Sequence, residues 1–277
     1  MQIMELDGLP LRLKAAHDLG WLRRYGRVFC VFDGLTTGNL CFGVESAGRR
    51  LFVKYAGARP VQYAGDPRKA VETLKNTALL HERLRHPRLS PVLESHETKD
   101  GYCLVFPWFE GYALSPLQVH MDAFRRLPIK TRLILYDGLA DFLADASRRD
   151  HVAAGIYDEK ILVDFSSHSL LFCSASRFLP MPAKTPYPKL SGSPWYLPNE
   201  GYTPGAVLDE SATVYAQGAL SFTFFGDRNA PTLNNWEGAE SLFALASRAV
   251  RPKAALRPSS AGEYLREWRQ IIMKLPG

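Results

Sequence analysis

The pattern of apolar residues changes near residue 110, and this change limits the folds that the chain can adopt. Before it, short segments rich in β-branched and aromatic residues alternate with turns, as in RVFCVFD (27–33), LCFGV (40–44) and LFVKYA (51–56). After it, apolar residues recur at helical spacing. A strand-rich part followed by a helical remainder predicts an α+β protein, which we divide into residues 1–109 and 110–277.

One helix is expected among the early strands. The segment DPRKAVETLKNTALLHERLRHP begins with Asp66 as the predicted N-cap and Pro67 at the first helical position. We expect this helix to stop at Pro87. Two more strands are predicted in LSPVLES and GYCLVFPWF, and Gly111 ends the pattern.

The later part is predicted to contain amphipathic helices within residues 128–150, 209–226, 239–250 and 260–275. Ser260 is the expected N-cap of the last of them. Residues between 165 and 205 are rich in Ser and Pro and are expected to form loops.

Composition excludes several classes of protein. The chain has 277 residues, of which 46% are hydrophobic, so it can bury a sizeable core. No stretch approaches the roughly 18 to 20 apolar residues of a membrane span, and the N-terminal segment lacks the apolar run of a signal peptide. The cysteines have no C-x-x-C spacing, which favours free thiols over a zinc site or disulfides: Cys30, Cys41, Cys103 and Cys173. We therefore expect a cytoplasmic protein that does not insert into membranes.

The net charge of +6 and the pI near 9.1 favour acidic partners, such as nucleotides or phosphorylated surfaces. A modest excess of charge spread over a solvated surface explains these values better. No stripe of Lys and Arg interleaves with aromatic residues, which disfavours a nucleic-acid interface. A hydrolase is disfavoured as well, because G-x-S-x-G and H-E-x-x-H are absent from the sequence.

Five motifs, in order, resemble those of protein kinases. The segment DGLTTGNL has the shape of the Gly-rich loop, with Gly38 at its third glycine and Leu40 at the following valine position. Lys54, fourteen residues after Leu40, stands where the kinase strand lysine would reach nucleotide phosphates. The sequence LRHP at 84–87 ends the predicted helix, as this motif often does in kinases.

The two remaining motifs lie in the later part of the chain. The segment GSPWYLPNE resembles the end of an activation segment, and it carries Glu200 at the glutamate position. In LRPSS, Arg257 falls where the family arginine closes a buried ion pair with that glutamate. A further segment, VAAGIYD, resembles the catalytic loop of a bacterial branch of small serine/threonine kinase-like proteins.

The resemblance implies a bilobal protein-kinase-like fold, with an N-lobe over 1–109 and a helical C-lobe over 110–277. The N-lobe would hold an antiparallel sheet and one helix. The resemblance also implies a nucleotide site at these positions: Gly38, Leu40, Lys54, Phe106 and Phe109.

The residues that would catalyse phosphoryl transfer are missing from this pattern. The alignment puts Gly155 at the catalytic base, Tyr157 at the loop lysine and Lys160 at the metal-binding asparagine. Ser174 takes the place of the aspartate that ligates the second metal, and Ser176 is two residues beyond it. Mg²⁺ prefers oxygen ligands, so a lysine cannot replace one of them.

A shift in the alignment does not supply the missing carboxylate. The sequence contains no Asp or Glu between Asp164 and Glu200. Asp150, in SRRDH, lies ten residues before Lys160 where the family spacing is five, and we interpret it as part of a turn. Asp164 is expected in the turn between two short strands.

Three further positions depart from the kinase pattern. Thr77 stands where a helix glutamate would pair with Lys54, and Thr213 stands where an aspartate is common. Phe52 shares a strand face with Lys54, at the position where kinases keep a small alanine over the adenine. Either Phe52 narrows the nucleotide slot, or it packs in the core.

These features predict a pseudokinase that binds a protein partner, with an ATP site that lacks productive Mg²⁺. The expected partner surface is acidic or phosphorylated, because the activation-segment equivalent is basic and aromatic: Arg177, Lys184, Lys189 and Trp195.

The alternative is an active phosphotransferase of unorthodox design. It would use Asp158 or Glu159 as the base, and Lys160 would replace the charge of one metal ion. We interpret both acids as solvated loop residues, with Asp158 as the fallback catalytic residue.

Overall fold

The structure is a computed structural model, and it describes residues 1–114, 119–185, 195–227 and 229–275. The chain divides into two compact units. The first comprises Met1–Arg85 and Ser90–Glu110. The second comprises His86–Leu89 and the described residues from Gly111 onward.

The first unit begins with an antiparallel hairpin of β1 (Gln2–Leu6) and β2 (Leu9–Leu13). Its turn residues Asp7 and Gly8 have φ angles of 50° and 88°. A 3₁₀ helix follows at Gly20–Tyr25. This hairpin was not predicted, although an Asp-Gly pair between apolar residues favours such a turn.

A five-stranded antiparallel sheet forms the centre of this unit, in the order β3-β4-β5-β7-β6. Its strands are β3 (Arg27–Phe32), β4 (Asn39–Ser46), β5 (Arg49–Ala56), β6 (Glu94–Thr98) and β7 (Gly101–Pro107). The predicted strands are confirmed, except that β6 begins at Glu94 and not at Leu89. Pro91 lacks a backbone N–H and cannot contribute a donor to a ladder, which disfavours an earlier start.

The two faces of the sheet are covered by different elements. One face packs against the N-terminal hairpin through Leu11, Leu40 and Phe42. The other carries α1 (Pro67–Arg83), whose Leu74 packs with Phe106.

The predicted helix caps of the first unit agree with the structure. The Asp66 carboxylate accepts a hydrogen bond from the Arg68 N–H, and Pro67 is the first residue of α1. The helix ends four residues before Pro87, at Arg83, with Leu84 as its C-cap.

The second unit is mainly helical among its described residues. Its helices are α2 (Val119–Arg125), α3 (Ile129–Arg148), α4 (Glu210–Phe225), α5 (Glu240–Ala249) and α6 (Ala261–Met273). Its short strands are β8 (Tyr112–Ala113), β9 (His151–Ala153), β10 (Ile161–Asp164), β11 (Ser169–Phe172), β12 (Phe178–Pro180), β13 (Ala183–Lys184) and β14 (Val207–Leu208). The predicted helices and the α+β class are confirmed, whereas α2 was not predicted.

The predicted loop between 165 and 205 contains regular elements in its described part. These are β11, β12, β13 and a 3₁₀ helix at Asn199–Tyr202. The strands have two to four residues each, too few to show an alternating pattern in the sequence.

Helix α4 is the buried centre of the second unit. The Tyr136 hydroxyl of α3 donates to the Gln217 carbonyl at 2.7 Å, and it lies 2.9 Å from the Tyr264 hydroxyl of α6. The Ser221 hydroxyl joins the same network. These bonds link α3, α4 and α6 inside the core. No helix of the described ranges has the length and apolar character required to cross a membrane.

Candidate functional site

The segments that carry Gly155, Lys160 and Ser174, the predicted degenerate catalytic positions, are held together by short strands of the second unit. β9 pairs with β12, and β10 pairs with β11. Between these strands, the Ala154 N–H donates to the Arg177 carbonyl at 3.0 Å, and the Cys173 N–H donates to the Lys160 carbonyl at 2.8 Å. The structure therefore brings the neighbourhoods of Gly155, Lys160 and Ser174 together.

The space beside Gly155 is occupied by the side chain of Arg177. A Cβ atom at position 155 would lie 2.7 Å from the Arg177 Cβ and 2.8 Å from its Cγ. Real Cβ atoms essentially never approach that closely. An aspartate at position 155 would therefore require the Arg177 segment to move.

Lys160 is buried within the same loop, with 5% of its surface exposed. Its Nζ lies 3.5 Å from the Gly155 carbonyl and 3.4 Å from the Ser176 Oγ. It also lies 4.7 Å from the centre of the Tyr157 ring. Burial raises the pKa of the Tyr157 hydroxyl, and the nearby Arg177 cation opposes that shift. The loop thus buries a lysine side chain at the predicted metal-ligand position.

Ser174 and Ser176, at the positions where the kinase resemblance predicts carboxylates, carry hydroxyl groups. Ser174 is buried, and its Oγ accepts a hydrogen bond from the Ser176 N–H at 3.4 Å. Within the ranges that the structure describes, no group of three His, Cys, Asp or Glu side chains could hold a metal ion.

Asp158 and Glu159 differ from each other in burial. Both lie on the 3₁₀ helix Asp158–Lys160, but Asp158 is 5% exposed and Glu159 is exposed to solvent. The prediction of a solvated loop acid is therefore wrong for Asp158. The single 3₁₀ turn directs Asp158 and Lys160 inward and Glu159 outward. The sequence alone does not show which of these adjacent residues is buried.

The other two acids near the loop have local roles. Asp150 is exposed and has a φ of 55°, in the turn that follows α3. The Asp164 carboxylate accepts hydrogen bonds from Ser166 and Ser167, in the turn between β10 and β11. These bonds lower the pKa of the Asp164 carboxyl group. Asp150 lies in a turn, as predicted, whereas Asp164 is the last residue of β10 and precedes the turn that its carboxylate caps.

In the first unit, Lys54 and Phe52 share one face of β5. No carboxylate of the described residues lies within the ion-pairing distance of 4.0 Å from the Lys54 Nζ. On α1, the buried Thr77 hydroxyl donates to the Thr73 carbonyl at 2.8 Å. The helix therefore presents a neutral group at the expected glutamate position.

Leu40 does not lie on the face of the sheet that carries Lys54. In the β4–β5 register, Leu40 is paired with Tyr55, whereas Cys41 is paired with Lys54. Leu40 is fully buried against the N-terminal hairpin. The prediction that Leu40 lines a nucleotide site with Lys54 is therefore wrong, because neighbouring strand residues point to opposite faces.

Gly38 is required by the packing of the first unit. Its φ is 81°, which favours glycine. A Cβ at this position would lie 2.7 Å from the Ala70 Cβ and 2.8 Å from the Tyr63 ring. The Gly38 backbone therefore packs closely against α1 and the Tyr63 ring.

Phe52 belongs to an aromatic cluster on the same face. Its ring centre lies 6.1 Å from that of Phe32, 6.2 Å from that of Phe106 and 6.4 Å from that of Trp108. Phe106 is buried against α1, and Phe109 is partly exposed after β7. Of the two interpretations of Phe52, the structure displays the packing contact, and narrowing of a nucleotide slot stays a prediction.

The ion pair between Glu200 and Arg257 is present. The Arg257 Nη1 lies 2.6 Å from the Glu200 Oε1, and the Arg257 side chain is fully buried. Arg257 also donates to the backbone carbonyls of Arg251, Ser211 and Pro252. This guanidinium therefore connects three segments of the second unit.

Thr213 on α4 anchors the strand that precedes the Gly155 loop. Its buried Oγ1 accepts a hydrogen bond from the Ala153 N–H at 3.1 Å. Among the residues predicted to contact a partner, Lys184 is exposed and Trp195 is 42% exposed. Lys189 and the motif residues 192–194 lie outside the described ranges.

Comparison with known proteins identifies the fold. No protein-family model matches the chain, and no curated protein matches it. Among solved structures, the crystal structure of the PknI kinase domain of Mycobacterium tuberculosis is similar to this chain, with a TM-score of 0.61 and 18% sequence identity. The match covers 89% of this chain and 96% of that domain. The chain therefore has a protein-kinase-like fold, as its motifs predicted.

Proposed function

We propose that this chain is a pseudokinase, a kinase-like scaffold that binds a protein partner and does not transfer phosphate efficiently. One observation carries the proposal: the Arg177 side chain occupies the space beside Gly155, at the position of the catalytic base. Phosphoryl transfer in this fold depends on a base that receives the acceptor proton and on Mg²⁺ that neutralises phosphate charge. In this chain the Arg177 side chain fills the space beside the first position, and Lys160 stands at the second.

The size of the expected deficit supports the same conclusion. General-base catalysis and electrostatic stabilisation are each worth about 10² to 10⁴-fold in rate. A chain that lacks both would retain a very small turnover. The proposal includes a nucleotide that is bound without productive Mg²⁺, because no group of three His, Cys, Asp or Glu side chains among the described residues could hold the ion.

Melting temperature measured with ATP and with ADP, each with and without Mg²⁺, tests the nucleotide part of the proposal. A ligand that binds only the native state raises the melting temperature. We expect either no shift or a shift that Mg²⁺ does not increase, and no transfer of radioactive phosphate to protein or peptide. A shift that requires Mg²⁺, together with phosphate transfer, would overturn the proposal.

The proposed partner presents acidic or phosphorylated residues to the exposed cation Lys184 and the exposed ring of Trp195. A phosphoserine peptide array, compared with the same unphosphorylated peptides, tests this proposal. Lys184→Glu should weaken binding of the phosphorylated peptides, whereas Lys253→Glu, at another exposed lysine of the same unit, should not. Equal weakening by both variants, or no preference for phosphate, would contradict it.

The burial of Asp158 favours one alternative function, an active phosphotransferase that uses this carboxylate as its base. Asp158→Asn should then abolish Mg²⁺-dependent phosphate transfer, and Asp150→Asn should leave it unchanged. Transfer that both variants retain would rule out Asp158 as the base.

A further inference from the structure

The second unit contains an apolar groove between α3 and α6 that the proposed function does not use. Its volume is about 700 Å³, within the range of pockets that hold small molecules. Its aliphatic walls are formed by Ile129, Leu133, Ile134, Ile272, Met273 and Leu275. Ile134 is 65% exposed and Met273 is 75% exposed. Exposed aliphatic side chains grouped along a groove are one feature of ligand-binding surfaces.

Arg88 lies at one end of this groove. Its guanidinium is packed against the α3 backbone at Gly138, where a Cβ would lie 3.0 Å from the Arg88 Cζ. The Arg88 Nη1 donates to the Leu170 carbonyl at 3.4 Å, but no carboxylate of the described residues lies within 4.0 Å of the guanidinium. Arg88 therefore has further donors for an anionic ligand.

The neighbouring cation Arg269 is already neutralised. Its guanidinium donates to the Asp137 carboxylate at 2.9 Å from two nitrogens and to Asp141 at 3.1 Å. Lys130, at the opposite end of the groove, is exposed and has no carboxylate of the described residues within ion-pairing distance. Among the described residues, the groove thus has an unpaired cation at each end, and between them the Arg269 guanidinium faces the two carboxylates of Asp137 and Asp141.

We propose that this groove binds a long-chain carboxylate of the fatty-acid class. The alkyl chain lies along the aliphatic walls, and the carboxylate binds the planar fork of Arg88, which matches its two oxygens. An extended peptide is a poor occupant, because its backbone N–H and C=O groups would be buried against walls with few polar partners. The proposal is independent of catalysis, since the groove shares no residue with the Gly155 loop.

Calorimetric titration of the full chain with octanoate, decanoate and dodecanoate, each below its micelle concentration, tests this proposal. Dodecanol serves as the neutral ligand of equal length. Burial of each methylene group should raise the affinity about fourfold, so each step of two carbons should raise it about 15-fold. Dodecanoate should bind more tightly than dodecanol, because only the acid can pair with Arg88.

Variants separate the two parts of the groove. Arg88→Met should weaken dodecanoate about 10- to 100-fold and leave dodecanol unchanged, and Arg88→Lys should restore part of the loss. Ile134→Glu should weaken both ligands. Leu256→Glu is the matched control, because Leu256 is a 56% exposed aliphatic residue of the same unit that does not line the groove.

Several outcomes would overturn the proposal. These are absence of binding, affinity that does not depend on chain length, and equal losses in Ile134→Glu and Leu256→Glu. Two further results would assign the groove to a protein: dimerisation of the chain that Ile134→Glu abolishes, or binding of an acidic amphipathic helix by a chain that does not bind dodecanoate.

Discussion

Arg257 and Lys54 both stand where the kinase pattern places a cation, but their surroundings differ. Arg257 is fully buried, is paired with Glu200 and donates to three backbone carbonyls. Lys54 is partly exposed, and the described residues place no carboxylate near it. The comparison indicates that the chain has both members of the ion pair on which folding depends, and only the cation of the other predicted pair.

The energetic reason is the difference in burial. Removal of one partner of a buried ion pair leaves an uncompensated charge and strongly destabilises a protein. A partly exposed lysine retains its hydration, so the loss of its partner costs little. A threonine at position 77 of α1, where the kinase pattern predicts a glutamate, therefore costs little, whereas loss of the Glu200 carboxylate would destabilise the second unit.

The largest predicted effect is that of Arg257→Met. We expect it to lower the free energy of unfolding by about 3 to 5 kcal/mol, because the Glu200 carboxylate loses its partner in a largely buried site. Urea denaturation measures the change. Arg269→Met, which removes a more exposed guanidinium, should cost about 1 kcal/mol or less. Similar losses in the two variants would contradict the comparison.

Gly155→Asp should destabilise the protein by about 1 to 3 kcal/mol and should not create phosphate transfer. The new side chain meets the Arg177 Cβ and Cγ, and overpacking of this kind forces neighbouring segments to shift. Arg177→Gly should relieve much of the loss in a double-mutant cycle. Full stability of Gly155→Asp, with ATP turnover, would show that Arg177 does not block this position.

Thr213→Val should cost about 1 to 2 kcal/mol, because the buried Ala153 N–H loses its acceptor while the side-chain volume is retained. Thr213→Ser keeps the hydroxyl and should lose less. Hydrogen exchange at the Ala153 amide provides a direct measurement. If the exchange rate of the Ala153 amide is unchanged in Thr213→Val, another group accepts its hydrogen bond.

The smallest predicted effect is that of Lys54→Met, within about 0.5 kcal/mol of the parent chain. Urea denaturation, as for Arg257→Met, gives the value. A loss of 2 kcal/mol or more would show that Lys54 has a structural partner, and the contrast with Arg257 would then fail.

Much of the fold was predictable because its signals are local. Asp66 and Pro67 mark the start of α1, and Ser260 marks the start of α6. In the structure, Asp66 and Ser260 are N-caps and Pro67 is the first residue of α1. The Asp7-Gly8 pair between apolar residues is a further local signal, and it favours the turn of the N-terminal hairpin. Leu40 shows the limit of alignment by motif, since an error of one residue moves a side chain to the other face of a sheet.

The contacts of the candidate site were less predictable. Gly155 and Arg177 are separated by 22 positions in the sequence, and no spacing rule relates a glycine to the side chain that fills its space. The burial of Asp158 depends on the direction of one short 3₁₀ turn, which composition does not determine. The ion pair of Glu200 and Arg257 was predicted from the kinase pattern, not from local sequence.

The N-terminal hairpin has a practical consequence for expression of this protein. It covers Leu40, Phe42 and Val53 on one side of the central sheet. A version that starts at β3, where the kinase motifs begin, would present that apolar surface to water and would aggregate. Residues before β3 are therefore a necessary part of the folded domain. A purification tag should be added in front of these residues and should not replace them.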